Sequence, residues 1–176
     1  MIVNGVSLLN AAPIKNMLQT KEKKHGYSHG LSEAGYDIQI AQDIIFKPGN
    51  RKWLVFPMEP TIERWQENAE WRDRIIKGRF CLASTLEEFQ MPNNLTGIVH
   101  DKSTWARQGL SVYNTVIEPG WKGFLTLELS FSGEEPLNIP AGVAIAQVLF
   151  HQTVERATYN GKYQNAGAGP QEAILK

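Results

Sequence analysis

Between Asp101 and Ser132 the chain reads DKSTWARQGLSVYNTVIEPGWKGFLTLELSFS, and several groups in it have the makings of a chemical site. Lys102, Ser103, Thr104 and Arg107 gather an ammonium, two hydroxyls and a guanidinium into one short segment. Hydroxyls and exposed backbone N–H groups make a nest for oxyanions, and a guanidinium adds a forked pair of charge-assisted hydrogen bonds. The same pattern also suits a plain solvated helix start capped by Ser or Thr. It is not a P-loop, because no G-x-x-x-x-G-K-[ST] occurs in the chain. In FLTLELSF, strand alternation puts Phe124, Thr126, Glu128 and Ser130 on one face and Leu125, Leu127, Leu129 and Phe131 on the other. Glu128 is then either a polar residue on a wet face or an acid–base group in a pocket beside Arg107, its pKa tuned for proton transfer. Glu118 closes the turn before this strand, where Pro119 and Gly120 fix the backbone and Trp121 and Lys122 project from a rigid corner. Such a set can hold a phosphorylated ligand and move a proton on it.

The elements around this segment read mostly as strands. From Gly78 onward short apolar runs are divided by turn signals at MPNN, Glu118–Gly120, SGEEP and IPAG, which predicts an all-β barrel, sandwich or jelly roll with a few helices. GYDIQIAQDIIFKPG predicts a strand ending at a Pro-Gly turn. The N-terminus predicts a short helix, with Leu8, Leu9, Ala12 and Leu18 near helical spacing and Asn4 or Ser7 as candidate caps. Thr20 to Ser32 reads as a flexible, Lys-rich loop, and residues 60–77 as the clearest helical stretch, although Trp65 and Trp71 fit a helical face poorly. Trp53, Trp65 and Trp71 suit a subunit contact or a site wall. The Gly- and Ala-rich tail, 159–176, is expected to be flexible unless something holds it, and Lys162 and Tyr163 within it could fold down on a phosphate.

Bulk properties narrow the function classes. A chain of 176 residues predicts one domain, 1–176, with a substantial core. Lys+Arg and Asp+Glu both number 18, so no net charge draws the protein to nucleic acid or to an anionic membrane. No signal-peptide pattern and no bilayer-length apolar run is found, which predicts a cytoplasmic protein. The single cysteine, Cys81, excludes an internal disulfide and a multi-cysteine zinc site, and RFCLAST predicts that it is buried. His25, His29, His100 and His151 are scattered, and the glycines beside the first two argue against a metal pair.

Taken in order, these segments resemble the dCTP deaminase branch of the dUTPase-like superfamily. The resemblance is carried by GYDIQI, by RFCLASTLEEFQMPNNLTGIVHDKSTWARQGL, by IEPGWKGFLTLEL, by GVAIAQVLF and by the tail KYQNAGAGP. It implies a mainly β, distorted jelly-roll fold (the dUTPase-like β-clip), a homotrimer with sites between subunits, and Mg²⁺ carried on the nucleotide triphosphate rather than zinc held by the protein. It implies that Ser103 and Arg107 activate and place a water while Glu128 shuttles protons at cytosine N3 and N4, converting dCTP to dUTP and ammonia. Zinc deaminases draw their hydroxide from a metal held by His and Cys, a site this composition cannot build. Substrate contacts are implied for Lys102, Thr104, Glu118, Trp121, Thr126 and Leu127, and for Gln147, Tyr159, Lys162, Tyr163 and Gln164. The chain departs from the family pattern in having Lys102 for an arginine, Glu118 for an aspartate, Ala166 for a glutamine, and a shorter YNTV segment. The last two features of the Val112–Glu118 stretch, its length and its carboxylate, resemble trimeric dUTPases. Hydrolysis of dUTP to dUMP and diphosphate therefore stays open, beside deamination or instead of it.

Overall fold

Alternating sequence becomes strand almost everywhere in the chain. The computed structural model describes residues 1–48, 61–67 and 70–175, with backbone alone for 61–67 and 70–77. In chain order the elements are β1 (Ile2–Val3), α1 (Gly5–Ala11), β2 (Lys21–Lys24), β3 (Tyr27–Leu31), β4 (Tyr36–Gln39), β5 (Ile44–Phe46), β6 (Thr61–Glu67) and β7 (Glu70–Lys77). They continue with β8 (Phe80–Gln90), β9 (Leu95–Asp101), α2 (Ser103–Ala106), β10 (Leu110–Val112), β11 (Val116–Ile117), β12 (Lys122–Phe131), β13 (Leu137–Ile139) and β14 (Ala144–Gln152). Among the described residues the fold is mainly β with two short helices, as expected.

Three sheets share the work. The largest runs β11-β9-β14-β4-β3-β2, with β1 also paired to β14; a second runs β10-β12-β8; a third runs β13-β5-β7-β6. Pairing is antiparallel except between β5 and β7. One core joins all three, with Ile38, Val148 and Phe150 from the first, Ala83, Leu127 and Leu129 from the second, and Ile44, Phe46 and Ile139 from the third. Phe46 stacks on Phe131 at 5.3 Å, binding the third sheet to the second. Each buried side chain of this size stabilises the fold by roughly 1.5–3 kcal/mol relative to exposure.

Three expectations need correction. Thr20–Ser32 is not an irregular loop but the β2–β3 hairpin, closed by His25 and Gly26 at φ of 49° and 83°. Two consecutive positive φ values make the tight turn whose twist matches that of its strands. Residues 61–67 and 70–77 are antiparallel strands rather than a helix, and their register sets Glu63 opposite Arg74 and Arg64 opposite Asp73. Their weak helical face left cross-strand pairing to decide. Trp53 lies outside the described residues. The N-terminal helix stops at Ala11, since Ala12 turns left-handed (φ 45°) ahead of Pro13, so Leu18 lies beyond it. Asn4 is the N-cap residue, although its side chain donates instead to Glu33 O at 2.8 Å.

Glu87 gives the fold a pH dependence. Its carboxylate accepts the Gln39 N–H on both oxygens, at 2.9 and 3.1 Å, and desolvation pushes its pKa up from 4.5 to about 7. Between those values the folded state holds a proton that the unfolded chain has lost, so stability falls as pH rises through this window and levels off above it. The total contribution is about 3 kcal/mol at most. Glu87→Gln should flatten this slope, read as urea midpoints at about pH 5 and about pH 8. A slope identical to that of the wild type would refute the assignment.

Candidate functional site

β12 sorts its side chains strictly by parity. Leu125, Leu127, Leu129 and Phe131 are buried in the core, while Phe124, Thr126, Glu128 and Ser130 are partly buried on the other face. A register shift between Phe124 and Thr126 interrupts the pairing with β8, but Glu128 sits in regular register opposite Leu82. On this face lies a cleft of about 520 Å³. Phe80 and Leu82 of β8, Thr115–Glu118, and Trp121, Phe124, Thr126 and Glu128 form its walls, and Tyr159, Tyr163, Ala166 and residues 171–173 of the tail complete them.

Glu128 is the carboxyl most shielded by that cleft's side chains, in that its Oε2 is buried and has no hydrogen-bond partner among the described residues. Desolvation raises its pKa, opposed in part by a hydrogen bond from its own backbone N–H. Such a carboxyl holds its proton more readily than an exposed one and is suited to give and take it.

The Glu118–Trp121 corner forms as the sequence implies. Trp121 N–H donates to Glu118 O at 3.1 Å across Pro119 and Gly120, the latter at φ 75°, which makes a type II turn. The tail is held against this corner. Trp121 Nε1 donates to Tyr163 O at 2.7 Å. Gln164 donates to Gly120 O and Tyr159 O, at 3.0 and 2.9 Å, and accepts from Lys122 N–H at 2.8 Å. Further on, Gln171 N–H donates to Thr126 Oγ1 at 3.0 Å, and Tyr163 OH accepts from Ile174 N–H at 3.0 Å. Lys162 Nζ donates to Ile174 O and lies 5.2 Å from the centre of the Tyr163 ring.

The other expected residues lie elsewhere. Ser103 and Thr104 on α2 and Arg107 at its C-cap are exposed and take no part in the cleft lining. Lys102, expected to be a phosphate donor, is engaged by the buried Asp37 at 2.5 Å and donates to Ser28 Oγ at 3.2 Å. Gln147 donates to the same carboxylate at 3.1 Å and to Ser32 Oγ at 2.9 Å. Leu127 is 1% exposed with its side chain in the core, so it can meet a ligand only through its backbone. Within one chain, then, Glu118, Trp121, Thr126, Glu128, Tyr159 and Tyr163 come together, while Gln164 ties the tail to the Glu118–Trp121 corner and Lys162 makes a tie within the tail. Sequence reasoning did not single out Thr115, Phe80, Gln171 or Glu172. Phe124 was placed on the Glu128 face by alternation but not assigned to a site.

Comparison with known proteins fixes the family. A family model described as dCTP deaminase-like matches residues 8–153. The dCTP deaminase of Protochlamydia amoebophila is 37% identical over 141 residues, which cover 77% of this chain and 75% of that protein. That of Neisseria meningitidis is 34% identical over 153 residues, covering 84% and 81%. The chain belongs to the dCTP deaminase-like family. The crystal structure of 2′-deoxycytidine 5′-triphosphate deaminase from Agrobacterium tumefaciens matches with a TM-score of 0.53 at 12% identity, over 88% of this chain and 49% of that one, a likeness of fold.

Seating of the tail depends on Gly123. A Cβ there would come within 2.6 Å of the Ala166 backbone N and O, which bridge to this residue, and Gly123 also has φ 135°. Gly123→Ala should therefore release the tail. The Phe124 and Asn165 amides, bonded to Ala166 O and Lys122 O at 3.0 and 2.9 Å, report on it. Their hydrogen exchange should quicken about tenfold or more in the variant; unchanged protection would show that the contact is not needed.

Proposed function

We propose that this protein is a dCTP deaminase, converting dCTP and water to dUTP and ammonia. The observation that carries the reading is the Glu128 carboxyl, desolvated and with one oxygen unpartnered in a cleft walled by Phe80, Phe124 and Tyr159. Protonated Glu128 gives its proton to N3, which makes C4 electrophilic. The oxygen of water adds to C4 as its proton passes to Glu128. Glu128 then protonates N4, the C4–N4 bond breaks, and the remaining hydroxyl proton returns to the carboxylate as O4 becomes a carbonyl. One group with a pKa shifted toward neutrality serves every transfer.

Ser103 and Arg107 complete this site from a neighbouring copy in a homotrimer, placing the water. Their exposure on α2 and at its C-cap and their absence from the cleft of their own chain support this arrangement. No lysine or arginine stands among the described lining residues, whereas Glu118 and Glu172 do. A triphosphate would meet like charge there, so Mg²⁺ on its phosphates fits the donor set, and Glu118 and Glu172 would hold water bound to it. A free nucleotide triphosphate as substrate supports a cytoplasmic location. Glu118 in the same cleft favours a second reading, in which the protein hydrolyses dUTP to dUMP and diphosphate.

Products from dCTP and dUTP with Mg²⁺ separate these activities. Ammonia with dUTP marks a deaminase, ammonia with dUMP a bifunctional enzyme, and diphosphate from dUTP alone a dUTPase. Glu128→Gln should abolish ammonia release while dCTP affinity stays within about tenfold; full activity would remove Glu128 from the mechanism. Subunit mixing tests the shared site. Ser103→Ala and Glu128→Gln proteins, each inactive, should regain up to about a quarter of wild-type activity after co-refolding at equal amounts, because random cyclic assembly rebuilds that fraction of sites. No recovery in mixed trimers would place both residues in the site of one subunit.

A further inference from the structure

Three buried side-chain polar atoms lack a hydrogen-bond partner among the described residues, and two of them belong to residues lining the same cleft: Glu128 Oε2 and Thr115 Oγ1. Thr115 sits in the short connection between β10 and β11, and its position is fixed from both sides. Tyr113 N–H donates to Glu128 O at 3.0 Å, and Val99 N–H donates to Thr115 O at 3.0 Å. The β10–β12 register, which ends with Val112 opposite Leu129, leads the chain along β12 to this point. The threonine is therefore held by β9 directly and by β12 through Tyr113, in the cleft that Glu128 also lines. Much of the surrounding wall is apolar, with Leu82, Val116 and Phe124 close by.

A buried hydroxyl with no partner destabilises a protein, whereas a valine of the same shape would not. Polar groups left unpaired in an apolar cleft are what fix the orientation of a ligand. A hydroxyl also has a property that no amide or carboxylate shares: by turning one hydrogen it serves as acceptor or as donor at the same place. Resting on the deaminase reading above, we propose that the Thr115 hydroxyl is the contact to position 4 of the pyrimidine. It accepts a hydrogen bond from the amino group of cytosine and donates one to O4 of the uracil product, while Glu128 serves N3. Thr115 is thereby a specificity-determining residue that selects pyrimidines with a polar substituent at position 4.

The test pairs a protein deletion with a ligand deletion. Thr115→Val and Thr115→Ser are compared with wild type for kcat/KM on dCTP. The inhibition constant of 2-oxopyrimidine deoxynucleoside triphosphate, which has no substituent at position 4, is measured on the same proteins. The valine variant should lose about tenfold or more in kcat/KM on dCTP, while binding of the 2-oxopyrimidine analogue stays within about twofold. The serine variant should stay within about threefold of wild type on dCTP. Equal losses for dCTP and the analogue, a serine variant as impaired as valine, or a valine variant with a changed oligomeric mass would overturn the assignment in favour of packing or subunit contact. An active wild type with an unaffected valine variant overturns the role of Thr115 alone. A wild type that releases no ammonia from dCTP overturns the deaminase reading, and this assignment with it.

Discussion

Lys102 and Asp37 meet at 2.5 Å with their side chains 13% and 4% exposed, and the placement of the segment that carries α2 follows from that contact. Charges so far out of water persist only when paired and hydrogen-bonded; removing one partner costs about 3–5 kcal/mol. Here the carboxylate also receives Gln147 from β14, and the ammonium also reaches Ser28 on β3. The pair therefore ties three strands to the residue that starts α2. Trp105 makes the second tie, with its indole N–H on Ala144 O at 2.7 Å and its ring stacked on Tyr27 at 4.5 Å. A helix of four residues has little stability of its own. These two anchors are what hold Ser103 and Arg107 in a defined place. The cation expected to meet a phosphate serves position instead, while the Arg107 side chain stays exposed.

The same economy governs β12. Strand parity sends Leu127 into the core and Glu128 into the cleft, so one strand builds both the hydrophobic support and the reactive surface. A one-residue slip would exchange them. Eight register pairs with β8 fix this choice, and Phe46 against Phe131 locks the far end of the strand. Placement of the carboxyl is thus a consequence of core packing.

What could be read in the sequence was local. The Glu118–Trp121 turn has its proline and glycine where a type II turn needs them, and the alternation of FLTLELSF survived folding intact. What could not be read depends on partners far away in the chain. Asp37 and Lys102 are 65 residues apart, and nothing around either one announces the other. The hairpin at His25–Gly26 demands a left-handed histidine, which its neighbours do not suggest. Residues 61–67 and 70–77 have no strong period, so strand pairing rather than local preference decided their form. Thr115 was hidden for a related reason: a threonine becomes notable only when folding buries its hydroxyl and leaves it unpaired.

The tail links these local and distant constraints to the chemistry. It is held largely by hydrogen bonds to the backbone of the Glu118–Trp121 corner and of β12, with Gln164 alone engaging Gly120, Tyr159 and Lys122. Such contacts open at less cost than a packed core. Yet Tyr159, Tyr163, Ala166 and Gln171 wall the cleft that desolvates Glu128. Desolvation is the main cause of the raised pKa of that carboxyl, so an open tail admits water and returns the group toward ordinary acidity. The wall that the tail supplies and the proton affinity of Glu128 are therefore linked, because removing the one lowers the other.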